Sequence, residues 1–416
     1  GVLAYLVDAF RERGVDDVFL VPVSIAYDQL SEVAAMAAEE HGAEKKAESF
    51  GWMLRYLRSQ GQHLGKAYVN IGEPISLQRV RGEQKLATEK IAFEVLHRIN
   101  RVTPVTPTSL LTLALLGLGD RALTVAEIRS VLDPLLDYVA VRKLPVAGTW
   151  GPHQPPPGPA TSPGGLHPAL DALVASKVAT RYAGGAEPVY AIGENQHLVA
   201  AYSRNRIIHF FVTRAITELV LLHLVRRPMG HPGEGDLGAR AWAEALRLRD
   251  LLKYEFFFAN KAEFAEDLRA ELAILDPDWE RKSGDPTAIA TGLAELPLLL
   301  GHRVLGSFLE AYMVVADRLA ARPPGPVDEA AFLDECIGVG RQYRLQQRIH
   351  STESISKELF RNALALAAGR GLLEGDDPAG RGAFAAELGE VVDRVDSLRR
   401  LAVATLERTT AEEGPP

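Results

Sequence analysis

The sequence predicts a small α/β unit followed by a larger, mostly α-helical body, and three observations carry that prediction. Two short β-branched runs, Asp17 to Asp28 (D-V-F-L-V-P-V-S-I-A-Y-D) and Ala67 to Leu77 (A-Y-V-N-I-G-E-P-I-S-L), each stop at proline or glycine and then turn polar. Buried strands look like this when they deliver side chains to the rim of a sheet. The stretches before and between the runs have helical spacing, so strand, helix and strand alternate as in a parallel α/β sheet. From Ala239 onward nearly every segment is helical in pattern. Ligands in open α/β sheets sit outside the carboxyl ends of strands. The candidate site residues are therefore Pro22, Ser24, Tyr27 and Asp28 on the first run and Gly72, Glu73 and Pro74 on the second.

Taken in order, Leu3, Leu6, Val7 and Phe10 fall on one helical face that ends at Gly14. The strand Val18 to Ile25 contains Pro22, which has no N–H, so the strand is at an edge or leaves its ladder there. Helices are predicted at Leu30 to Glu40, around Phe50 to Leu57, and at Leu86 to Ile99, with the second strand at Ala67 to Ile71. Thr108 to Leu118 reads as helix, and Thr124-Val125-Ala126-Glu127 is a capping-box start to another. Loops rich in proline and glycine are expected at 145–165 and 227–238. His167 to Ile192 reads helix, strand, turn at Gly184-Gly185, strand, a winged-helix-like order. Tyr202 to Val225 is expected as one long helix, followed by Trp242 to Lys261, Leu298 to Ala321, Glu329 to Ile349, Ser356 to Ala368 and Phe384 to Arg408. There is no internal repeat of fixed period.

Composition narrows the function classes. The 416 residues carry 46 Lys and Arg against 54 Asp and Glu, a net charge of −8, which argues against a dedicated nucleic-acid binder. One cysteine, Cys336, excludes an internal disulfide framework and a cysteine-rich metal site. Val102 to Gly119 and Ile207 to Val225 are apolar, but prolines and threonines in the first and His209, Arg214, Glu218 and His223 in the second favour buried helices over membrane spans. Arg204, Arg206, Arg214, Arg226 and Arg227 gather around that second stretch. They suit either anionic lipid head groups or, more plainly, a solvated helix rim.

No phosphate loop, C-x-x-C, H-E-x-x-H or G-x-S-x-G is present, and no metal-ligand cluster stands out, so no cofactor is expected. The single H-x-x-x-x-D, His231 to Asp236, sits in a Gly/Pro loop and is a chance match.

A series of longer strings says more. V-P-V-S-I-A-Y-D-Q-L (Val21 to Leu30) and G-K-A-Y-V-N-I-G-E-P-I-S-L (Gly65 to Leu77) resemble the last motif block and following strand of glycerol-3-phosphate acyltransferases, the large bacterial membrane-associated type and its mitochondrial relatives. The resemblance continues, in order, through I-N-R-V-T-P-V-T-P (Ile99 to Pro107), Y-S-R-N-R-I-I-H-F-F (Tyr202 to Phe211), L-L-K-Y-E-F-F-F (Leu251 to Phe258), F-L-E-A-Y (Phe308 to Tyr312) and E-S-I-S-K-E-L-F (Glu353 to Phe360).

That resemblance implies an α/β remnant of an acyltransferase sheet domain over residues 1–98 and a helical C-terminal domain over 99–416. It implies acyl transfer from acyl-CoA or acyl-carrier protein to the 1-hydroxyl of glycerol 3-phosphate, at the cytosolic face of a membrane, with the membrane surface as a partner and no nucleic acid. The family's base is a histidine of an H-x-x-x-x-D motif, suited to deprotonating an attacking alcohol. Its phosphate-holding arginines lie in further blocks. All of these precede the V-P-V-S-I strand, so this chain, starting at Gly1 in mid-helix, is expected to be a C-terminal portion that is inactive alone. Pro22, Ser24, Tyr27 and Asp28 match the block associated with glycerol 3-phosphate. Ala26 stands where glycine is common and Asp28 where glutamate is common. Dihydroxyacetone phosphate as acceptor, or a non-catalytic docking module, are the other readings.

Overall fold

The computed structural model describes residues 1–12, 16–27, 66–83, 88–119, 121–147, 163–226, 237–279, 285–323, 325, 327–373 and 377–413. The predicted helices at 30–40 and 50–57, Asp28, Arg227 and the His231 to Asp236 string lie outside them.

Pro22 divides the first strand as its missing N–H requires. The halves are β1 (Phe19–Leu20) and β2 (Val23–Tyr27), and each pairs separately, β1 with β4 (Ile75–Ser76) and β2 with β3 (Ala67–Ile71). Both pairs are antiparallel, with Ser24 opposite Asn70 and Ala26 opposite Tyr68. The parallel pairing expected from the strand–helix–strand pattern is therefore wrong. Alternation of apolar residues fixes which side of a strand is which, but not the direction of its neighbour. Gly72 lies where the two ribbons meet. Its N–H donates to the Pro22 carbonyl at 2.8 Å, and a Cβ on it would touch both Pro22 and Val102 at 3.4 Å.

Two ribbons and the helices α1 (Val2–Glu12), α2 (Leu77–Glu83) and α3 (Thr88–Val102) enclose a small apolar cluster of Val7, Phe10, Leu77 and Ile91. Asp17 ties this unit together. Its carboxylate accepts from Ser76 Oγ at 2.6 Å and from the backbone N–H of Gln78 at 2.9 Å, and these bonds hold its pKa below the usual range.

Beyond α3 the chain is helical around a second, much larger core. Thr106 caps α4 (Pro107–Leu116), whose residues are buried all round. The predicted capping box starts α5 (Val125–Val141): Thr124 Oγ1 accepts from Glu127 N at 3.1 Å, and Thr124 N donates to Glu127 Oε2 at 2.8 Å. Then come α6 (Pro163–Ala175), β6 (Ala179–Tyr182) and β7 (Val189–Ile192). With β5 (Leu123–Thr124) these strands form an antiparallel sheet in the order β5-β7-β6. Helix, strand, helix, helix and hairpin follow one another as in a winged helix, as the sequence suggested. The exposed side chains of α6 include His167, Pro168 and Asp171, which make no basic face.

The expected long helix from Tyr202 is broken. It consists of α7 (His197–Asn205), a 3-10 turn (Ile208–Phe211) and α8 (Val212–Arg226). Likewise the helix predicted to reach Lys261 stops earlier, as α9 (Leu237–Leu251), and α10 (Lys261–Leu275) starts afresh under an Asn260 cap. The apolar run Ile208–Arg226 is long and apolar enough to cross a membrane by length and composition, and 67% of it is buried in the core. After α11 (Pro286–Glu295) comes α12 (Gly301–Ala321), buried at every position from Gly301 to Ala316. This central helix packs against α8, α14 (Lys357–Gly369) and the long α15 (Pro378–Glu413), with α13 (Glu329–Leu345) alongside. Each buried Leu or Val of α12 contributes roughly 1.5–3 kcal/mol relative to exposure.

Two of the arginines around Tyr202 to Arg226, Arg204 and Arg214, turn inward, so neither the lipid-facing nor the solvated-rim reading describes those two. Arg206 is half-buried and Arg226 is exposed, as on a helix rim. Arg204 is buried and donates to Glu353 Oε1 at 2.8 Å, and Arg214, also buried, to Glu218 Oε1 at 2.9 Å. Arg226 donates to Ser397 Oγ and to the Asp393 carbonyl, pinning α8 to α15.

Candidate functional site

The strand that carries the sequence-predicted residues packs on the end of α3. Ser24 and Ala26 face inward at 4% and 2% exposure, while Val23, Ile25 and Tyr27 face outward. Ser24 Oγ lies 2.8 Å from Thr103 Oγ1, and the Thr103 hydroxyl donates to the Ile99 carbonyl at 2.9 Å. With the Thr103 proton committed, Ser24 is the donor in this pair. Asn70 Nδ2 donates to the Val102 carbonyl at 2.9 Å, so both strands of the ribbon hold α3.

The break at Arg206-Ile207 positions two side chains against this unit. Arg206 Nη1 donates to the Tyr27 carbonyl. His209 Nε2 donates to the Asn100 carbonyl at 2.9 Å. Burial pushes the His209 pKa down to about 4, so the ring is neutral at physiological pH. An unbroken helix would send at least one of these groups elsewhere, since its side chains advance about 100° per residue.

A cavity of about 490 Å³ lies between β2 and the helical body. Ser24 and Thr103 line it on one side, Asn205, Arg206 and His209 on a second, and Glu255, Phe256 and Phe308 on a third. Phe256 meets Phe308 edge-on at 5.0 Å, and Phe257 meets Phe93 edge-on at 5.3 Å. Asn100, His209, Phe256 and Phe257 form a partition shared with a second cavity of about 480 Å³. That one has His97, Arg101, Arg142 and Lys143 along one side and Glu263, Glu266 and Asp267 along another. Concave, aromatic-lined spaces with a few placed polar groups are the usual form of small-molecule sites.

The structure distributes the predicted site residues unevenly. Ser24 lines the first cavity. Pro22 is buried and offers its carbonyl to Gly72; Tyr27 points outward at 41% exposure, and its backbone carbonyl takes Arg206. Gly72, Glu73 and Pro74 are not in the cavity lining. The carbonyls of Glu73 and Pro74 accept from Arg98 Nη1 at 3.2 and 3.3 Å, which closes the turn.

Several cavity groups were not singled out from the sequence: Asn100, Asn205, Glu255 and Glu358. A signal for them existed. Each falls inside one of the strings that carry the family resemblance, and those strings, separated by up to some hundred residues, fold to face one space.

Comparison with known proteins agrees with the resemblance. The family described as "Glycerol-3-phosphate acyltransferase C-terminal region" matches residues 36–376. The chain belongs to this family. Among its relatives, the protein named "Putative acyltransferase plsB1" in Mycobacterium bovis and in two strains of Mycobacterium tuberculosis is 42% identical over 415 residues, covering 97% of this chain. The chain spans 65% of the length of those relatives.

Proposed function

We propose that the protein carrying this chain is a glycerol-3-phosphate 1-O-acyltransferase. It moves a fatty acyl group from acyl-CoA or acyl-carrier protein to the 1-hydroxyl of glycerol 3-phosphate, at the cytosolic face of a membrane, as a step of phospholipid synthesis. One observation carries this reading. Six strings that resemble the family, from Val21 to Phe360, contribute side chains to a single cavity at the junction of ribbon and helical body. In this reading β2 and α3 form one wall of the substrate space, and the helical body closes it from the other side. The histidine base and the phosphate-holding arginines come from protein outside the 416 residues.

The test is acyl transfer by the full-length parent protein and by the 416 residues alone, with glycerol 3-phosphate and dihydroxyacetone phosphate as acceptors. The full-length protein is expected to acylate glycerol 3-phosphate, and the chain alone to be inactive. Asn205→Trp in the full-length protein places bulk in the cavity from an exposed helix end. It is expected to raise KM for one substrate about tenfold while leaving the fold intact. Transfer to dihydroxyacetone phosphate alone would reassign the acceptor, and no transfer to either would overturn the reading.

A further inference from the structure

We propose that Glu255 is a substrate-binding residue of the 490 Å³ cavity, presenting a protonated carboxyl as hydrogen-bond donor to an oxygen of the bound acyl acceptor. The proposal rests on the acyltransferase reading and adds a residue and a pH dependence to it.

The geometry separates the two carboxyl oxygens. Oε1 accepts from Tyr312 Oη at 2.8 Å and from Asn362 Nδ2 at 3.2 Å, which fixes the side chain from α12 and α14. Among the described residues no donor reaches Oε2, and the residue lines the cavity. A purely structural carboxylate would be expected to fill both oxygens with donors, as Glu218 and Glu310 do elsewhere in this core.

The surroundings favour the neutral acid. The charged neighbour with a resolved influence is Glu358, a like charge on α14. Of the basic groups that line the cavity, Arg206 is engaged by the Tyr27 carbonyl, and His209 is neutral and bonded to Asn100. Lys357, next to Glu358, pairs with Asp334. Burial, with Glu358 adding to it, raises the Glu255 pKa to about 7 against the opposing bonds from Tyr312 and Asn362. Below that pH the Oε2–H group donates into the cavity. Above it the donor is lost, and a negative charge joins Glu358 beside a substrate that is itself an anion.

The experiment measures KM and kcat of the full-length protein for glycerol 3-phosphate from pH 6 to 9, for wild type, Glu255→Gln and Glu255→Leu. Glutamine keeps a donor at the same place without a titrating proton. The acceptor's own phosphate ionisation is common to all three enzymes and cancels in the comparison. Wild-type KM is expected to rise by about tenfold per pH unit above 7 relative to Glu255→Gln, with kcat little changed. Glu255→Leu is expected to raise KM at every pH. A Glu255→Gln profile that parallels wild type, or a Glu255→Leu enzyme with wild-type KM, would overturn the role of Glu255 while leaving the acyltransferase reading intact. A wild-type protein unable to acylate glycerol 3-phosphate would overturn both.

Discussion

Glu218→Ala is expected to destabilise the fold by about 3–5 kcal/mol, the cost of leaving a buried charge without its partner. Glu218 is fully buried on α8. Its Oε1 accepts from Arg214 Nε at 2.9 Å, and its Oε2 accepts from the backbone N–H groups of Leu300 and Gly301, each at 2.7 Å. Those amides are at the start of α12, where helix geometry leaves N–H groups unpaired and the macrodipole favours an anion. Burial pushes the Glu218 pKa up, while Arg214 and the two amides oppose it. Alanine removes all three bonds at once and strands the Arg214 guanidinium in the core. Glu218→Gln retains an acceptor for the amides and is expected to lose less. Urea unfolding followed by circular dichroism measures both. A Glu218→Ala protein within about 1 kcal/mol of wild type would show that α12 is held by apolar packing alone. Gly301 belongs to the same joint: a Cβ there would meet Leu398 Cδ1 at 2.4 Å, so a side chain at this position requires Leu398 to shift.

Arg394→Ala should have an effect of similar size where α15 crosses α8 beside this joint. This side chain is completely buried on α15. It donates to the Leu219 carbonyl at 2.8 Å and to Glu244 Oε1 at 2.6 Å, and its Nε lies 2.9 Å from Glu390 Oε1. Alanine leaves a cavity the size of most of an arginine and an uncapped carbonyl, together about 3–5 kcal/mol. Arg394→Met fills the volume without the donors, so its deficit is expected to be about 1–3 kcal/mol, the desolvation cost of the unpaired acceptors. Glu244 keeps Arg247 at 2.7 Å in either variant, which limits the damage on that side. Equal losses for alanine and methionine in chemical denaturation would mean that polar pairing, and not volume, sets the stability here.

Local chemistry was readable where cause and effect sit within a few residues. Thr124 and Glu127 form the capping box their spacing announces, and Pro22 interrupts its strand because it lacks an N–H. Arg214 and Glu218, four apart on one helix, pair as that spacing allows. The family was readable too, because its strings are long and ordered. The β2–β3 direction was not. Nor was the burial of Arg204, whose partner Glu353 is 149 residues away.

The sequence by itself determined the family and the helical character of the body, because periodicity, capping and ordered strings are properties of neighbouring residues. Tertiary structure alone decided the antiparallel ribbon, the break at Arg206-Ile207, and the bonding of the cavity residue Glu255 to Tyr312 and Asn362. Each of these depends on contacts between distant segments, where desolvation and hydrogen-bond pairing across the fold outweigh local preference.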